Sequence, residues 1–305
     1  MLELGAIADD LTGGMKVASL LEREGVRCPL VTSGEALETI ADDVQAVSVG
    51  RKLLIQPPED ARADAKHIAE ALLAKKTRQI YYKYSALFSS TARGNIGPVA
   101  ETLMELTQAD HVLFCSAFPE RNATIYQGRL FLNSSMLHES SRRNDPVTPM
   151  TNSNLVEVLQ EQTRVKVGLL PYQILVSGTD APEQYISEQK KEGVRFFIVD
   201  AIDESDLARI AALSKDMPLS TGADPLPVML SRNWQSDKTQ PRTILPPAPG
   251  LEAVISGSCT GKSVRQLAEF EETHPVFRID LVEAAEDPML IDRIVKWAED
   301  RVGKG

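Results

Sequence analysis

The sequence has few of the residues that cross-link secreted domains or bind metal ions. Only three cysteines and four histidines occur in 305 residues. An odd number of widely spaced cysteines argues against a disulfide framework and against a paired-cysteine metal site. The histidines lack the spacing of zinc ligands. We therefore predict a reduced, cytoplasmic protein without a metal site of its own. The residues concerned are Cys28, Cys115, Cys259, His67, His111, His138 and His274.

Positive charge and long apolar runs are also scarce. There are 33 lysines and arginines against 43 acidic residues, which gives a net charge of -10. The chain thus lacks the basic stripe that nucleic acid or an anionic membrane would require. No apolar run approaches the roughly 20 residues that cross a bilayer, and Asp9 and Asp10 interrupt any signal peptide. We expect neither nucleic acid nor membrane as a partner, although a local cationic group could still bind a small anion.

Hydrophobic periodicity predicts the fold class. Apolar residues make up 43% of the chain and charged residues 25%, which is ordinary for a globular protein. Short β-branched runs alternate with segments of helical period, as in βαβ units. The expected fold is α/β, with a mostly parallel sheet flanked by helices. Predicted strands include "LGAIAD", "QIYYKY", "RFFIVDA" and "QILVS" (173–177).

A proline-rich segment, residues 236–250, is predicted to be a linker between two domains. The first domain would span 1–235 and the second 251–305. The second stretch contains a predicted strand (252–256), a helix (261–272), a short strand (275–280) and a final helix. About two βα units are too few to cover both faces of a sheet. We therefore expect the second domain to be incomplete, with the chain stopping partway through it.

Two adjacent carboxylates, Asp9 and Asp10, follow the first predicted strand in "GAIADDLTGG". Ligands of open α/β sheets bind at the carboxyl ends of strands, and helix N-termini attract anions. The pair could accept hydrogen bonds from sugar hydroxyls, and one carboxylate could act as a general base. The pattern fits an N-cap aspartate before a tight glycine turn equally well. Spacing alone leaves both interpretations open.

Basic residues follow two other predicted strands. Lys83 ends one strand, and a hydroxyl-rich segment with Ser85 and then Arg93 comes next. Arg51 directly follows another strand. Lysine and arginine beside backbone N–H groups can bind a carboxylate or a phosphate. The alternative is a solvated loop whose cations face water.

The stretch "SGSCTGKS" (256–263) differs from a P-loop at its first residue, where Ser256 replaces glycine. Only 42 residues follow Ser263 (305 minus 263), too few for the remaining parts of a P-loop domain. If the stretch were a P-loop, Lys262 would contact the nucleotide phosphates. A turn that touches a nucleotide phosphate through backbone N–H groups and hydroxyls is the alternative.

Together these segments resemble the four-carbon acid sugar kinase family, most closely its 3-oxo-tetronate kinase branch. The similar stretches run in the family's order over nearly the whole chain: "GAIADDLTGG", "YYKYSALFSSTARGNIGPV", "YQGRLFLNSSMLHESSRRNDPVTPMTNSNL", "KVGLL" and "ISGSCTGKSVRQLA". The resemblance implies an N-terminal domain that binds a four-carbon sugar acid and a C-terminal domain that binds ATP. It also implies phosphorylation of the terminal 4-hydroxyl, with Mg²⁺ alongside the nucleotide.

The resemblance also implies roles for particular residues of this chain. The implied residues are catalytic Asp10 and Asp9, substrate-binding Arg51 and Lys83, and nucleotide-binding Gly257, Ser258 and Thr260. From their position in the loop after Lys83, Ser85 and Arg93 are expected to contribute to substrate binding. Lys262 lies outside the family's motif, so the resemblance explains the "SGSCTGKS" stretch better than a P-loop does.

Several positions depart from the family pattern. Ser89 stands where an aspartate is expected, Ala123 where an arginine is expected, and Thr221–Pro225 reads TGADP rather than TGGSG. A C-terminal G-G-[ED]-T-S-G turn is absent from the sequence. Each lost charged contact is worth about 1.5–3 kcal/mol, so an inactive protein that binds a sugar acid without phosphoryl transfer is the alternative function. Apolar surface on an incomplete second domain would favour a homodimer.

Overall fold

The computed structural model describes residues 2–235, 249–250, 252–257 and 261–301. The chain divides into two compact units, Met1–Arg242 and Thr243–Gly305. The strands of the described residues are β1 (Leu4–Ala8), β2 (Leu30–Val31), β3 (Ala46–Gly50), β4 (Gln79–Lys83), β5 (Val112–Cys115), β6 (Ala123–Tyr126), β7 (Arg129–Leu132), β8 (Ser135–Met136), β9 (Lys166–Leu170), β10 (Val194–Val199) and β11 (Leu219–Gly222). The α-helices are α1 (Leu11–Arg23), α2 (Pro58–Ala74), α3 (Ile96–Thr107), α4 (Leu155–Gln160), α5 (Tyr172–Leu175), α6 (Ala181–Lys191), α7 (Glu204–Leu213), α8 (Leu226–Ser231), α9 (Gly261–Glu271), α10 (Leu281–Glu286) and α11 (Leu290–Glu299).

Eight strands form one sheet in the order β2-β3-β1-β4-β11-β5-β10-β9. All of its pairings are parallel, which confirms the predicted α/β class. Parallel sheets are covered on both faces, and every residue of β1, β3 and β4 is buried. The sheet therefore forms a rigid base whose strand ends can position a site.

Helical periodicity explains the two long helices of the first half. A single apolar stripe at a spacing of three to four residues faces the core of each helix. In α1 the buried residues are Gly13, Gly14, Val17, Ala18 and Leu21. In α2 they are Ala61, Ala65, Ile68, Ala69 and Leu72.

A three-stranded antiparallel sheet, β6-β7-β8, was not anticipated from the sequence. Gln127 and Gly128 form its first turn, with φ values of 49° and 70°, and a type I′ hairpin turn needs positive φ at both positions. The carboxylate of Asp200 accepts the N–H groups of both residues at 2.8 Å. It also accepts the N–H of Tyr172 at 2.9 Å, so one buried side chain joins this hairpin to the ends of β9 and β10.

Three predicted strands are wrong. The "QILVS" segment lies largely in helix α5, because the chain turns at Pro171 and the Tyr172 N–H bonds to Asp200. Residues 252–256 and 275–280 form no strand and pair with no described strand. Val254 and Ile255 are 77% and 97% exposed, so the apolar run that suggested a buried strand is not buried against the described residues.

The described part of the second unit consists of three helices and their connections. Helix α9 confirms the helix predicted from residue 261. Phe277 and Trp297 meet edge to face with ring centroids 5.5 Å apart. No residue of this unit whose burial is described is buried. Throughout the described residues of both units, no helix has the length and apolar character needed to span a membrane.

Candidate functional site

The carboxyl ends of four neighbouring strands lie level at one edge of the large sheet. Ala8 of β1 pairs with Gly50 of β3 and with Lys83 of β4, and Lys83 pairs with Gly222 of β11. The ladder continues past β1, because the Asp9 N–H donates to the Lys83 carbonyl at 3.0 Å. This register brings the residues that follow β1 and β11 to the side chain that ends β4, as expected for an open α/β sheet.

The Lys83 ammonium lies among three carboxylates, a group we call the Lys83 cluster. Its Nζ lies 3.3 Å from Asp9 Oδ1, 3.8 Å from Asp10 Oδ2 and 3.8 Å from Asp224 Oδ1. The side chains of Lys83, Asp9 and Asp224 are 3%, 2% and 3% exposed, whereas Asp10 is 38% exposed. Asp10 is therefore the member of the cluster that solvent, or a ligand, can reach.

Burial and charge pull in opposite directions in the Lys83 cluster. The pKa of Asp9 is raised from an ordinary 3.8 to about 6. Burial is the largest cause and Asp10 and Asp224 act in the same direction, whereas the attraction of Lys83 opposes them. Burial lowers the pKa of Lys83, but Asp9, Asp224 and Asp10 together bring it above its ordinary value. Lys83 is thus charged at neutral pH, while Asp9 has a proton affinity suited to a general base.

Gly13 leaves the space through which Lys83 reaches the carboxylates. A Cβ at this position would lie 1.8 Å from Lys83 Nζ and 2.5 Å from its Cε. The Gly13 N–H donates to Asp10 Oδ1, which caps α1. Asp10 is therefore an N-cap, as one of the two interpretations of the sequence had it. Its second oxygen still faces Lys83, so the cap does not exclude a role in binding.

Asp224 is the member of the Lys83 cluster that sequence reasoning missed, because the TGADP segment of Thr221–Pro225 was considered only as a departure from the family pattern. The local backbone is held tightly. A Cβ at Gly222 would lie 2.4 Å from the Cys115 carbonyl oxygen, and the Tyr81 hydroxyl donates to the Ala223 carbonyl at 2.6 Å. The available signal was position, since Asp224 follows a buried strand just as Asp9 does.

Arg51 lies at the same edge of the sheet, but its guanidinium already has partners. Its Nε contacts the Asp64 carboxylate at 3.0 Å and its Nη2 contacts it at 2.9 Å. Its Nη1 donates to the Thr32 carbonyl. The structure thus places the Arg51 backbone beside β1 while its side chain turns to α2 and the end of β2.

The loop after β4 contains the other two predicted binding residues, Ser85 and Arg93. The Ser85 hydroxyl accepts a hydrogen bond from the Ser89 hydroxyl at 3.0 Å. Ser89, which stands where an aspartate is expected, therefore bonds within the loop. Gln162 supports the second half of the loop by donating to the Thr91 carbonyl at 2.8 Å. The Arg93 side chain is exposed and forms no hydrogen bond or ion pair with the described residues.

Of the predicted nucleotide-binding residues, the structure describes only Gly257. Gly257 is exposed, and a Cβ there would meet nothing within 4 Å. Ser258 and Thr260 lie outside the described residues, and α9 begins at Gly261. In the described ranges, no group of three or more His, Cys, Asp or Glu side chains is placed to hold a metal ion.

Known proteins are similar in sequence to this chain over nearly all of its length. A family model described as the sugar-binding N-terminal domain matches residues 4–230, which include the whole Lys83 cluster. The 3-oxo-tetronate kinase of Burkholderia multivorans is 35% identical over 303 residues, covering 98% of this chain and 71% of the relative. This chain belongs to the four-carbon acid sugar kinase family. The family resemblance inferred from the sequence is thereby confirmed.

Two further comparisons extend this family assignment. The 3-oxo-tetronate kinase of Escherichia coli is 33% identical over 282 residues, covering 92% of this chain and 72% of the relative. A crystal structure of a Haemophilus influenzae protein of the DUF1537 family superposes with a TM-score of 0.73 at 29% identity. That superposition covers 98% of this family member and 72% of the other chain.

Proposed function

We propose that this chain is an ATP-dependent kinase for the 4-hydroxyl of a four-carbon sugar acid of the 3-oxo-tetronate, threonate or erythronate type. The observation that carries the proposal is the Lys83 cluster at the sheet edge, in which buried Lys83 and Asp9 adjoin the accessible carboxylate of Asp10. Relatives named 3-oxo-tetronate kinase support the substrate class.

The carboxylates of the cluster orient the sugar hydroxyl and accept its proton. Asp10 makes the first contact, because it is the exposed member. As the hydroxyl oxygen attacks phosphorus, its O–H bond breaks, the electron pair stays on oxygen and the proton goes to Asp10 or Asp9. Asp9, with a pKa of about 6, is the better matched proton acceptor near neutral pH. ATP, when bound, would supply the γ-phosphoryl group, with the bond from its γ-phosphorus to the bridging oxygen broken and ADP as the leaving group.

The substrate carboxylate needs a cation that is not already neutralised. Lys83 faces three carboxylates and Arg51 is paired with Asp64. We therefore give direct contact with the acid to Arg93, whose exposed guanidinium is unpaired within the described residues. Ser85 adds a hydroxyl donor. Arg51 contacts the substrate carboxylate when its ion pair with Asp64 opens. Lys83 then acts mainly by holding the carboxylates that contact the hydroxyl.

Nucleotide binding is assigned to Gly257, Ser258 and Thr260, with Mg²⁺ accompanying ATP. Gly257 is exposed with open space around it and precedes Gly261, the first residue of α9, by four positions (261 minus 257), which supports this assignment because helix N-termini favour phosphate. A reduced, cytoplasmic setting fits the free, buried thiols of Cys28 and Cys115.

The test is ADP formation by the purified full chain with ATP, Mg²⁺ and each of 3-oxo-tetronate, threonate and erythronate. Steady turnover that requires a four-carbon acid is the expected result, and a five-carbon sugar acid is the matched control. Absence of turnover with every four-carbon acid, even at high enzyme concentration, would refute the kinase proposal.

A second candidate function is sugar-acid binding without phosphoryl transfer. Two departures from the family pattern favour it: Ser89 is engaged with Ser85 inside the loop, and Ala123 is 1% exposed at the start of β6. Neither can supply the charge expected at its position. Calorimetry distinguishes the two functions, because a pure binding protein would take up a tetronate but would bind no ATP.

We also propose that the chain forms a homodimer through its second unit. Large apolar side chains are exposed there, with Val254 at 77%, Ile255 at 97% and Ile291 at 74%, and burying exposed apolar surface favours association. Sedimentation velocity of the full chain should give the dimer mass. A monomer at micromolar concentration would refute this part of the proposal.

A further inference from the structure

Asp224 is buried without a hydrogen-bond partner for one of its oxygens. The residue is 2% exposed, and its Oδ1 has no hydrogen bond within the described part of the chain. The nearest cation is Lys83, with Nζ 3.8 Å from this oxygen, which is too far for a hydrogen bond. A buried polar atom without a hydrogen bond is unfavourable, so its presence requires an explanation.

The positions of the carboxylates around Lys83 explain why an Asp224 oxygen is buried without a hydrogen bond. An ammonium group has three N–H donors, and Lys83 uses one on Asp9 at 3.3 Å. Asp224 lies just beyond hydrogen-bond range at 3.8 Å. A shift of Nζ by about half an ångström toward Asp224 would bring it within reach. Asp224 is thus a second buried counter-ion, placed ready but not yet engaged.

The other titratable groups near Lys83 and Asp224 stay neutral at physiological pH, so only carboxylates can change their charge there. Burial raises the pKa of three tyrosines well above the ordinary value and that of a cysteine to about 12, so all four are neutral at physiological pH. These groups are Tyr81, Tyr82, Tyr84 and Cys115. Asp10 is the remaining charged neighbour.

We propose that Asp224 is a positioning residue that keeps Lys83 paired while Asp9 takes up the proton of the substrate hydroxyl. This inference rests on the proposed kinase function. When Asp9 becomes neutral, Lys83 loses its closest counter-ion and would otherwise depend on the solvent-exposed Asp10. With Asp224 present, the ammonium transfers its hydrogen bond from Asp9 to Asp224 and stays buried. Asp224 thereby makes protonation of Asp9 easier without itself touching the substrate.

The test is a ¹³C NMR titration of the Asp9 carboxyl in chain labelled at aspartate side chains, with Asp9→Asn used to assign the resonance. In the wild type the midpoint should lie at about 6. Asp224→Asn removes the second counter-ion at nearly constant shape and should lower the midpoint by roughly one pH unit. Asp43→Asn is the matched control, since it removes one carboxylate from an exposed pair with Arg27, and it should leave the midpoint unchanged.

An unchanged Asp9 midpoint in folded Asp224→Asn would overturn the proposal. If that variant fails to fold, ¹⁵N NMR of the Lys83 ammonium in the wild type decides. Its resonance should remain slow to exchange as the pH falls through the Asp9 midpoint, and rapid exchange below that midpoint would also overturn the proposal. Neither readout needs turnover, so absence of kinase activity would refute the proposed function while leaving this test intact. Where turnover is present, the acidic limb of the kcat/KM profile should shift with the NMR midpoint.

Discussion

The Nζ of Lys83 lies 3.3 Å from Oδ1 of Asp9, and the two side chains are only 3% and 2% exposed. The free energy needed to remove two opposite charges from water offsets most of their mutual attraction, so a buried ion pair adds little to stability. Such a pair is better explained by its position, which here is the level edge of four strands beside a helix N-terminus. Perturbed ionisable groups of this kind concentrate at functional sites.

Asp10 should separate capping from catalysis. Asp10→Asn keeps a good N-cap but loses the charged carboxylate that contacts and orients the sugar hydroxyl, so we expect kcat to fall about 100-fold or more with little change in unfolding free energy. Asp10→Ala loses both functions and should also cost about 1 kcal/mol of stability. Steady-state kinetics and urea denaturation measure the two effects. Normal turnover in Asp10→Asn would remove Asp10 from the proposed mechanism.

Gly13→Ala should displace Lys83, because the added methyl would occupy the place of its ammonium. We expect a loss of about 1–3 kcal/mol in unfolding free energy together with a loss of turnover. Gly261→Ala is the control, since a Cβ there meets nothing within 4 Å, and its stability should be unchanged or slightly higher. Equal stabilities of the two variants in urea denaturation would show that Gly13 is not required for the Lys83 cluster.

Asp9 should make stability depend on pH in an unusual direction. Its folded pKa of about 6 lies above the unfolded value of about 3.9, so the folded chain binds this proton more tightly. The stabilising contribution is complete below about pH 4 and is lost as the pH rises through 6. Asp9→Asn has no carboxyl group at this position to ionise, so it does not lose this stability as the pH rises. Its unfolding free energy relative to wild type should therefore rise by about 1–3 kcal/mol between pH 4 and 7.

Urea denaturation of the wild type and Asp9→Asn at several pH values across that window measures the difference directly. A difference that stays constant with pH would mean that Asp9 ionises like an exposed aspartate.

Lys262→Ala should leave ATP affinity within about twofold. The strand that a P-loop requires before its glycines is absent, because residues 252–256 are not a strand, and Lys262 is an exposed residue of α9. Thr260→Ala, at the proposed phosphate contact, is the comparison and should weaken binding. Calorimetric titration with ATP measures both. A loss of about tenfold or more in Lys262→Ala alone would restore the P-loop interpretation.

Periodicity and position were enough to predict the sheet and part of the site. β1 and β4 are buried throughout, so their apolar runs were clear signals, and the parallel order places Asp9 beside Lys83. The hairpin of β6 and β7 was missed because its stability depends on a distant carboxylate, that of Asp200. Such long-range hydrogen bonds leave no periodic trace in the sequence.

The partners of each charged side chain were harder to predict than its place at the sheet edge. Arg51 was correctly placed after β3, but its pairing with Asp64 depends on how α2 packs. Asp224 comes after the eleventh strand, 141 residues after Lys83 (224 minus 83). Only the order in which β11 inserts beside β4 brings the two together. Strand order is a tertiary property, so sequence pattern alone did not reveal this contact.

The most direct measurement is ³¹P and ¹³C NMR of the product formed from ATP and a ¹³C-labelled four-carbon sugar acid. Phosphorylation through the Lys83 cluster should give a single phosphate ester at C4, seen as phosphorus coupling to that carbon, and this ester should accumulate about 100-fold more slowly in Asp10→Asn. Ester formation at another carbon, or an undiminished C4 ester in Asp10→Asn, would show that the reaction does not take place at the Lys83 cluster.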